Sequence, residues 1–253
     1  MNIFVGTSGW NYSHWKGPFY PRDIKDREML EYYARVFRTV ELNNPFYRLP
    51  SEKSVLSWRE NSPDGFIFAV KASRFITHIK RLKDCNEPVK TFLKRMGALG
   101  AKLGPALFQT PPGLEFDAGK LKEFISVLPE GFRYVFEFRN RSWIRDETYK
   151  ILSDNKMTFC IYDFNGYFTP REITSDIVYF RLHGPVGKYS GSYPDSFLNE
   201  LSSAFRKYVR EGRRVFCYFD NDYAGYAALN ALTLRGLIEG AEKKARSMTM
   251  RAG

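Results

Sequence analysis

Glu137 and Arg139 sit two residues apart in the run Tyr134 to Trp143, where Tyr134, Phe136 and Phe138 alternate with Val135, Glu137 and Arg139. In an extended segment this alternation sends the carboxylate and guanidinium to one face and three aromatics to the other. A carboxylate beside an anion-holding cation, placed where an apolar run stops, can move a proton on a charged substrate. Glu41 lies near the end of the run Thr39 to Leu42, so Glu41 and Glu137 are the candidate acid/base pair, with His183 as proton shuttle. Arg139, Arg181 and Lys71 are expected to outweigh desolvation and keep Glu137 ionised. Glu41, with fewer cations adjacent in sequence, is the candidate protonated acid. The competing reading uses the same residues as a structural ion pair, Glu137 with Arg181 or Lys71.

Around these lie residues suited to holding a ligand: Thr7, Trp10, Asn43, Tyr47, Lys71, His78, Gln109, Arg139, Trp143, Asp163, Arg181, Tyr189 and Asn221. The aromatics Trp10, Tyr12, Trp15, Tyr47, Trp143, Tyr189 and Tyr193 could stack on a sugar or base, or pack loop on loop, and interleaved cations could hold phosphate. Gly184, Gly187 and Gly191 around Lys188 and Tyr189 suggest a lid or an anion-cradling turn. The three histidines, His14, His78 and His183, form no short-range pair of the HxH or HxxxH kind, so no metal or other cofactor is expected.

Positioning these groups requires strands that end together. Apolar runs at Ile3 to Gly6, Thr39 to Leu42, Phe66 to Val70, Ala106 to Gln109, Arg133 to Phe138, Thr158 to Tyr162, Ile177 to Leu182 and Arg214 to Phe219 read as strands. Helical spacing separates them: Asp26 is placed to cap a helix bearing Met29, Leu30, Tyr33 and Phe37, Asp117 one bearing Leu121, Phe124, Ile125 and Leu128, and Asp195 or Ser196 begins a third. Eight strands alternating with helices predict an α/β fold, a single (β/α)8 TIM-type barrel with parallel strands over residues 1–240. The candidate residues would then gather at the C-terminal mouth. On such a barrel the Glu41 and Glu137 carboxyl groups would stand roughly 6 to 9 Å apart, room for a water or a scissile bond.

The motifs Gly6-Thr7-Ser8-Gly9-Trp10, Phe19-Tyr20-Pro21, Val40-Glu41-Leu42-Asn43 with Phe46-Tyr47, and Val70-Lys71 with Thr77-His78 come in order along the chain. Phe108-Gln109 with Pro111-Pro112, Glu137-Phe138-Arg139 with Trp143, Arg181-Leu182-His183-Gly184 and Phe219-Asp220-Asn221 follow. Together they resemble the YecE-like family, domain of unknown function 72. The resemblance implies a TIM-type barrel and no assigned activity; Asp220 departs from the amide or small polar residue expected there, and its carboxylate argues against a purely cationic mouth.

At 253 residues the chain suits one barrel, and its formal net charge of +11 suits an anionic partner. Cations concentrate from Lys71 to Lys102, where they either solvate a helix face or attract a polyanion. Cys85, Cys160 and Cys217 make no disulfide framework, and no apolar run is long enough to span a membrane, so a cytoplasmic protein without a membrane partner is expected. The basic segment 241–253 is expected to be a mobile tail, and the oligomeric state is left open. The functional expectation is a hydrolase acting on a sugar phosphate, a nucleotide or nucleic acid, or else a nucleic-acid or polyanion-binding protein without chemistry.

Overall fold

The computed structural model describes residues 2–252, with side chains described as far as Ala241. Strands β1 (Ile3–Thr7), β2 (Thr39–Leu42), β3 (Ile67–Lys71), β4 (Leu103–Thr110), β5 (Tyr134–Phe138) and β6 (Thr158–Phe164) build one parallel sheet with two later strands. A two-residue strand, β7 (Tyr167–Phe168), folds back antiparallel on β6, and β8 (Ile177–Leu182) and β9 (Arg214–Phe219) complete the set. The sheet order β2-β3-β4-β5-β6-β8-β9-β1 curls so that its two ends meet. They meet through a bridge between Ser8 and Glu41 and a bond from Gly9 N to Glu41 O of 2.8 Å. A TIM-type (β/α)8 barrel results, with a narrow seam between β1 and β2.

Gly6 makes the seam possible, because a Cβ there would collide with the Thr39 carbonyl oxygen. Tyr33, from helix α1 (Met29–Val36), fastens the seam from outside: its hydroxyl accepts from Thr7 N at 2.9 Å and donates to Thr39 O at 3.1 Å.

Period-2 alternation divides the strands into two packing layers. Phe108, Phe136, Phe138, Phe180, Val215 and Phe219 face outward into the layer shared with the helices, whereas Phe4, Ala69, Leu107, Val135, Tyr179, Phe216 and Tyr218 fill the barrel. Phe136 packs on Phe124 of α5 (Ala118–Ser126) with ring centroids 6.1 Å apart. Burying such a ring contributes on the order of 2–3 kcal/mol, which Phe136→Asp would forfeit. One step beyond the apolar interior, the next inward position turns polar on strand after strand: Ser8, Glu41, Lys71, Gln109, Glu137, Arg181 and Asp220, all buried. The mouth is therefore the top polar layer of an otherwise apolar barrel.

The remaining helices are α2 (Asn44–Tyr47), α3 (Glu52–Glu60), α4 (Asn86–Met96), α6 (Asp146–Asp154), α7 (Asp195–Arg210) and α8 (Tyr226–Ala252). Asp117 caps α5 as expected, accepting from Lys120 N at 2.9 Å. Asp26 does not cap α1. It opens a 3-10 turn, Asp26–Glu28, and its carboxylate is drawn 3.1 Å from Lys16 Nζ instead. The backbone of the expected basic tail belongs to α8, while its side chains lie outside the described residues.

Candidate active site in the barrel mouth

Arg181, the last inward residue of β8, has no solvent exposure and organises the polar layer. It donates from Nε to both Glu41 oxygens at 3.0 Å and from Nη2 to Glu41 Oε1 at 2.8 Å. Its Nη1 donates to Glu137 Oε2 at 2.8 Å, and Nη2 also reaches Asp220 Oδ2 at 3.2 Å. Glu41 further accepts from the Tyr179 hydroxyl at 2.6 Å and from Ser8 Oγ, so both its oxygens are occupied by donors. Glu137 also accepts from Gln109 Nε2 at 2.8 Å and pairs with Arg139 Nε.

The electrostatics follow from these contacts. Burial opposes the charge on Glu137, yet Arg139 and Arg181 hold its carboxyl well below the usual carboxylate range. Burial likewise opposes the charge on Asp220, and the His183 hydrogen and Arg181 hold that carboxyl below its usual range. His183 Nε2 lies 2.9 Å from Arg139 Nη2 and 3.3 Å from Arg181 Nη1, groups that can only donate. Nε2 is therefore the acceptor. Those two donors assign the ring proton to Nδ1, which lies 2.9 Å from Asp220 Oδ2.

Glu41, Glu137 and Asp220 thus share the floor of the mouth with Arg139, Arg181 and, without direct pairing, Lys71. Two cavities open above it. The larger, about 1110 Å³, is lined by Trp10, Tyr12, Tyr47, Trp58, Lys71 and Asp220 among others. The smaller, about 310 Å³, is lined by His78, Gln109, Arg139, Arg141, Tyr167 and Lys188 among others. Tyr189 borders both, over the His183 ring with centroids 5.8 Å apart. The loop carrying it is pinned by Tyr189 N donating to His183 O at 2.7 Å, and Gly184 at φ +115 makes room for Ser190.

The family model described as "Protein of unknown function DUF72" matches residues 4–252. The chain belongs to the DUF72 family. A DUF72 protein of Thermotoga maritima is 31% identical and superimposes with a TM-score of 0.86 over 94% of this chain and 100% of that one. A DUF72 protein of Enterococcus faecalis shares the fold at 22% identity, with a TM-score of 0.81 over 94% of this chain and 95% of that one. Among curated relatives, UPF0759 protein YecE of Escherichia coli K12 is 33% identical over 139 residues, 54% of this chain and 48% of YecE. UPF0759 protein YunF of Bacillus subtilis is 28% identical over 162 residues, 58% of this chain and 54% of YunF. This DUF72 chain therefore aligns with about half the length of the curated relatives it matches.

In this DUF72 barrel, Trp10, Asn43, Tyr47 and Lys71 line the larger cavity, and His78, Gln109 and Arg139 the smaller one. Other expected ligand residues are placed elsewhere. Trp143 is fully buried, stacked on Phe138 at 4.4 Å with its Nε1 donating to Leu114 O at 2.7 Å, so it is a packing residue. Thr7 is turned into the Tyr33 contact at the seam. Asp163 accepts from His183 N at 2.6 Å and from the Tyr193 hydroxyl, which makes it a positioning residue behind the floor. Asn221 donates to Gly191 O at 2.8 Å and to Asn230 Oδ1 at 2.9 Å, tying the loop after β8 to α8.

The catalytic expectations change as well. Glu41 lines neither cavity: both its oxygens are taken by Ser8, Tyr179 and Arg181 and it has no exposure. His183 is sealed beneath Tyr189 with its Nε2 committed to two guanidinium groups. The three histidines do not converge: His14 lies by Asp222 at the rim, His78 by Phe46, and among the described residues no group of three or more His, Cys, Asp or Glu is placed to hold a metal ion. Sequence reasoning missed Trp58, Arg95 and Asp222, which line the larger cavity. Trp58 and Arg95 come from α3 and α4, where no strand-end pattern marks them.

Proposed function

We propose that this barrel is an enzyme that binds a small anionic molecule with a flat or ring-shaped body, of the sugar-phosphate or nucleotide class, and transforms it in the mouth. The observation that carries the reading is the unlike chemistry of the two cavities flanking Tyr189. The larger offers Trp10, Tyr12, Tyr47 and Trp58 as stacking surfaces with Asn43 and Asn44 as hydrogen-bonding partners. The smaller presents Arg141 and Lys188, beside an Arg139 already paired with Glu137, and has no carboxylate among its lining residues. A phosphate seated there would leave the body of the ligand over Lys71 and Asp220.

Hydrolysis by a Glu41–Glu137 pair loses its pair, because Arg181 lies between the two carboxylates and neither opens to a ligand. The proton-transferring groups that do line the larger cavity are Asp220 and Lys71. The polyanion-binding alternative is weakened by how the basic stretch is used. Arg81, Arg95 and Lys102 are donors to the carbonyls of Gly113, Pro50 and Arg59, and Lys71 is buried.

Calorimetry with ribose 5-phosphate, ribose and inorganic phosphate tests the reading. Ribose 5-phosphate is expected to bind at least tenfold more tightly than ribose, and Arg141→Ala with Lys188→Ala to remove that preference, a change of about 1.4 kcal/mol or more. Equal binding of ribose and ribose 5-phosphate, or a preference untouched by both substitutions, would overturn it.

A further inference from the structure

We infer that Lys71 is a covalent catalytic residue, its amine condensing with an aldehyde or ketone of the substrate to form an imine in the larger cavity. The inference rests on the reading of the mouth as a site for a small anionic molecule and adds a carbonyl group to that molecule.

Lys71 ends β3 with 8% exposure, and its side chain lines the larger cavity. Its Nζ stands 4.3 Å from the centroid of the Phe46 ring. A lysine retained for charge balance would be expected against a carboxylate, yet the three carboxylates of the floor are claimed by Arg139, Arg181 and His183. Among the described residues the amine has no carboxylate partner and no hydrogen-bond acceptor in reach. Lys102 shows the contrast: its amine is spent on Arg59 O at 2.6 Å and Ser62 O at 2.5 Å. Lys71 is thus a buried amine held by a ring face and presented to a cavity.

Burial and the Arg181 charge push Lys71 down from 10.5 to about 8, against the pull of Glu137, Glu41 and Asp220. The neutral, nucleophilic fraction near neutral pH is then far larger than for an ordinary lysine, and that is the state carbonyl condensation needs. Asp220 and Asp222 line the same cavity. Burial and the neighbouring Asp220 raise the Asp222 carboxyl above its ordinary range.

The step balances without any further reagent. The Nζ lone pair forms a C–N bond to the carbonyl carbon while the C=O π pair moves to oxygen, which takes a proton, and the nitrogen gives one up. The nitrogen lone pair then forms C=N as the C–O bond breaks and water leaves with a second proton. Overall, ketone plus lysine ammonium gives protonated imine plus water. Asp222, which lines the cavity, can relay the proton released from nitrogen to the departing oxygen.

The test incubates the full chain at pH 7.5 with glycolaldehyde, pyruvate or glyceraldehyde 3-phosphate and sodium cyanoborohydride, which reduces an imine to a stable secondary amine. Intact mass and peptide mapping then locate the adduct. Lys71 is expected to be labelled at least tenfold faster than any other lysine by at least one probe, with a rate that climbs as pH rises through about 8. Lys71→Arg, checked for native circular dichroism, is expected to lose that fast phase. Labelling spread evenly over surface lysines with all three probes overturns the inference, and if phosphate binding by calorimetry persists the anion-site reading stands without it. Selective Lys71 labelling with no phosphate preference supports the imine and overturns the anion site instead.

Discussion

Arg181 grips Glu41 through Nε and Nη2, 3.0 and 2.8 Å away, and keeps Nη1 free to reach Glu137 on the opposite side. One guanidinium therefore occupies the space in which two carboxylates could have shared a water, and the polar layer becomes a fixed electrostatic floor. Arg181→Met strands the buried Glu41 carboxylate and leaves Glu137 with Arg139 alone as its cation, and is expected to cost about 3–5 kcal/mol of stability, read from the urea midpoint. Arg181→Lys should recover only part of this, because an ammonium cannot present three directed nitrogens to two acids. A loss under about 1 kcal/mol in Arg181→Met would show that the network is dispensable.

The floor also sets pH dependences of one sign in two separate windows. Glu137 and Asp220 titrate below the ordinary carboxylate range, so the unfolded chain binds their protons first as pH falls. Their stabilisation is present at neutral pH and disappears as pH drops through and below about 4. Lys71 has the same sign in an alkaline window: folded near 8 and unfolded near 10.5, it makes the protein more stable as pH rises between those values. The gain is on the order of 3 kcal/mol. Urea titrations from pH 7 to 10.5 should show this rise in the wild type relative to Lys71→Met, and parallel curves would contradict it.

His183 is expected to show the Nδ1-protonated tautomer in ¹⁵N NMR near neutral pH, because Arg139 and Arg181 both donate toward Nε2. Asp220→Asn removes the carboxylate facing Nδ1, and a mixture of tautomers or a displaced ring should follow. An Nε2-protonated ring in the wild type would refute the assignment.

Trp143 and Tyr47 separate packing from binding. Trp143→Ala opens a cavity beside Phe138 and orphans the Leu114 carbonyl, for an expected loss of about 3–5 kcal/mol. Tyr47 is 74% exposed, so Tyr47→Ala should change stability by no more than about 0.5 kcal/mol. Tyr47→Ala should nevertheless weaken binding of a ring-bearing ligand severalfold, measured by calorimetry.

Much of this was legible in the alternation of single strands. Tyr134 to Arg139 shows which side of β5 faces inward, and the same pattern in β2 and β8 points Glu41 and Arg181 into one mouth. Local pattern could not show which inward groups touch: the Arg181 to Glu41 contact joins residues 140 apart in sequence, and nothing near Glu41 reveals a cation. For the same reason Glu41 reads from sequence as a free acid. Trp143 misleads differently, since a tryptophan just past a strand suits a stacking platform and a packed core equally until Leu114 and Phe138 are placed around it. Trp58 and Arg95 reach the cavity from helices, where amphipathic spacing marks burial and leaves ligand contact unmarked.

The β1–β2 seam has a bearing on how such a barrel can diversify. The Glu41 carboxylate at once accepts from the Ser8 hydroxyl across the seam and anchors the mouth's central arginine. Descendants that exchange Glu41 to suit a new substrate would also loosen the closure of the barrel, so neutral drift at this position is blocked from both directions. Innovation is then channelled to the rim, to Tyr47, Arg141, Lys188 and Tyr189, which can vary while the ring stays shut.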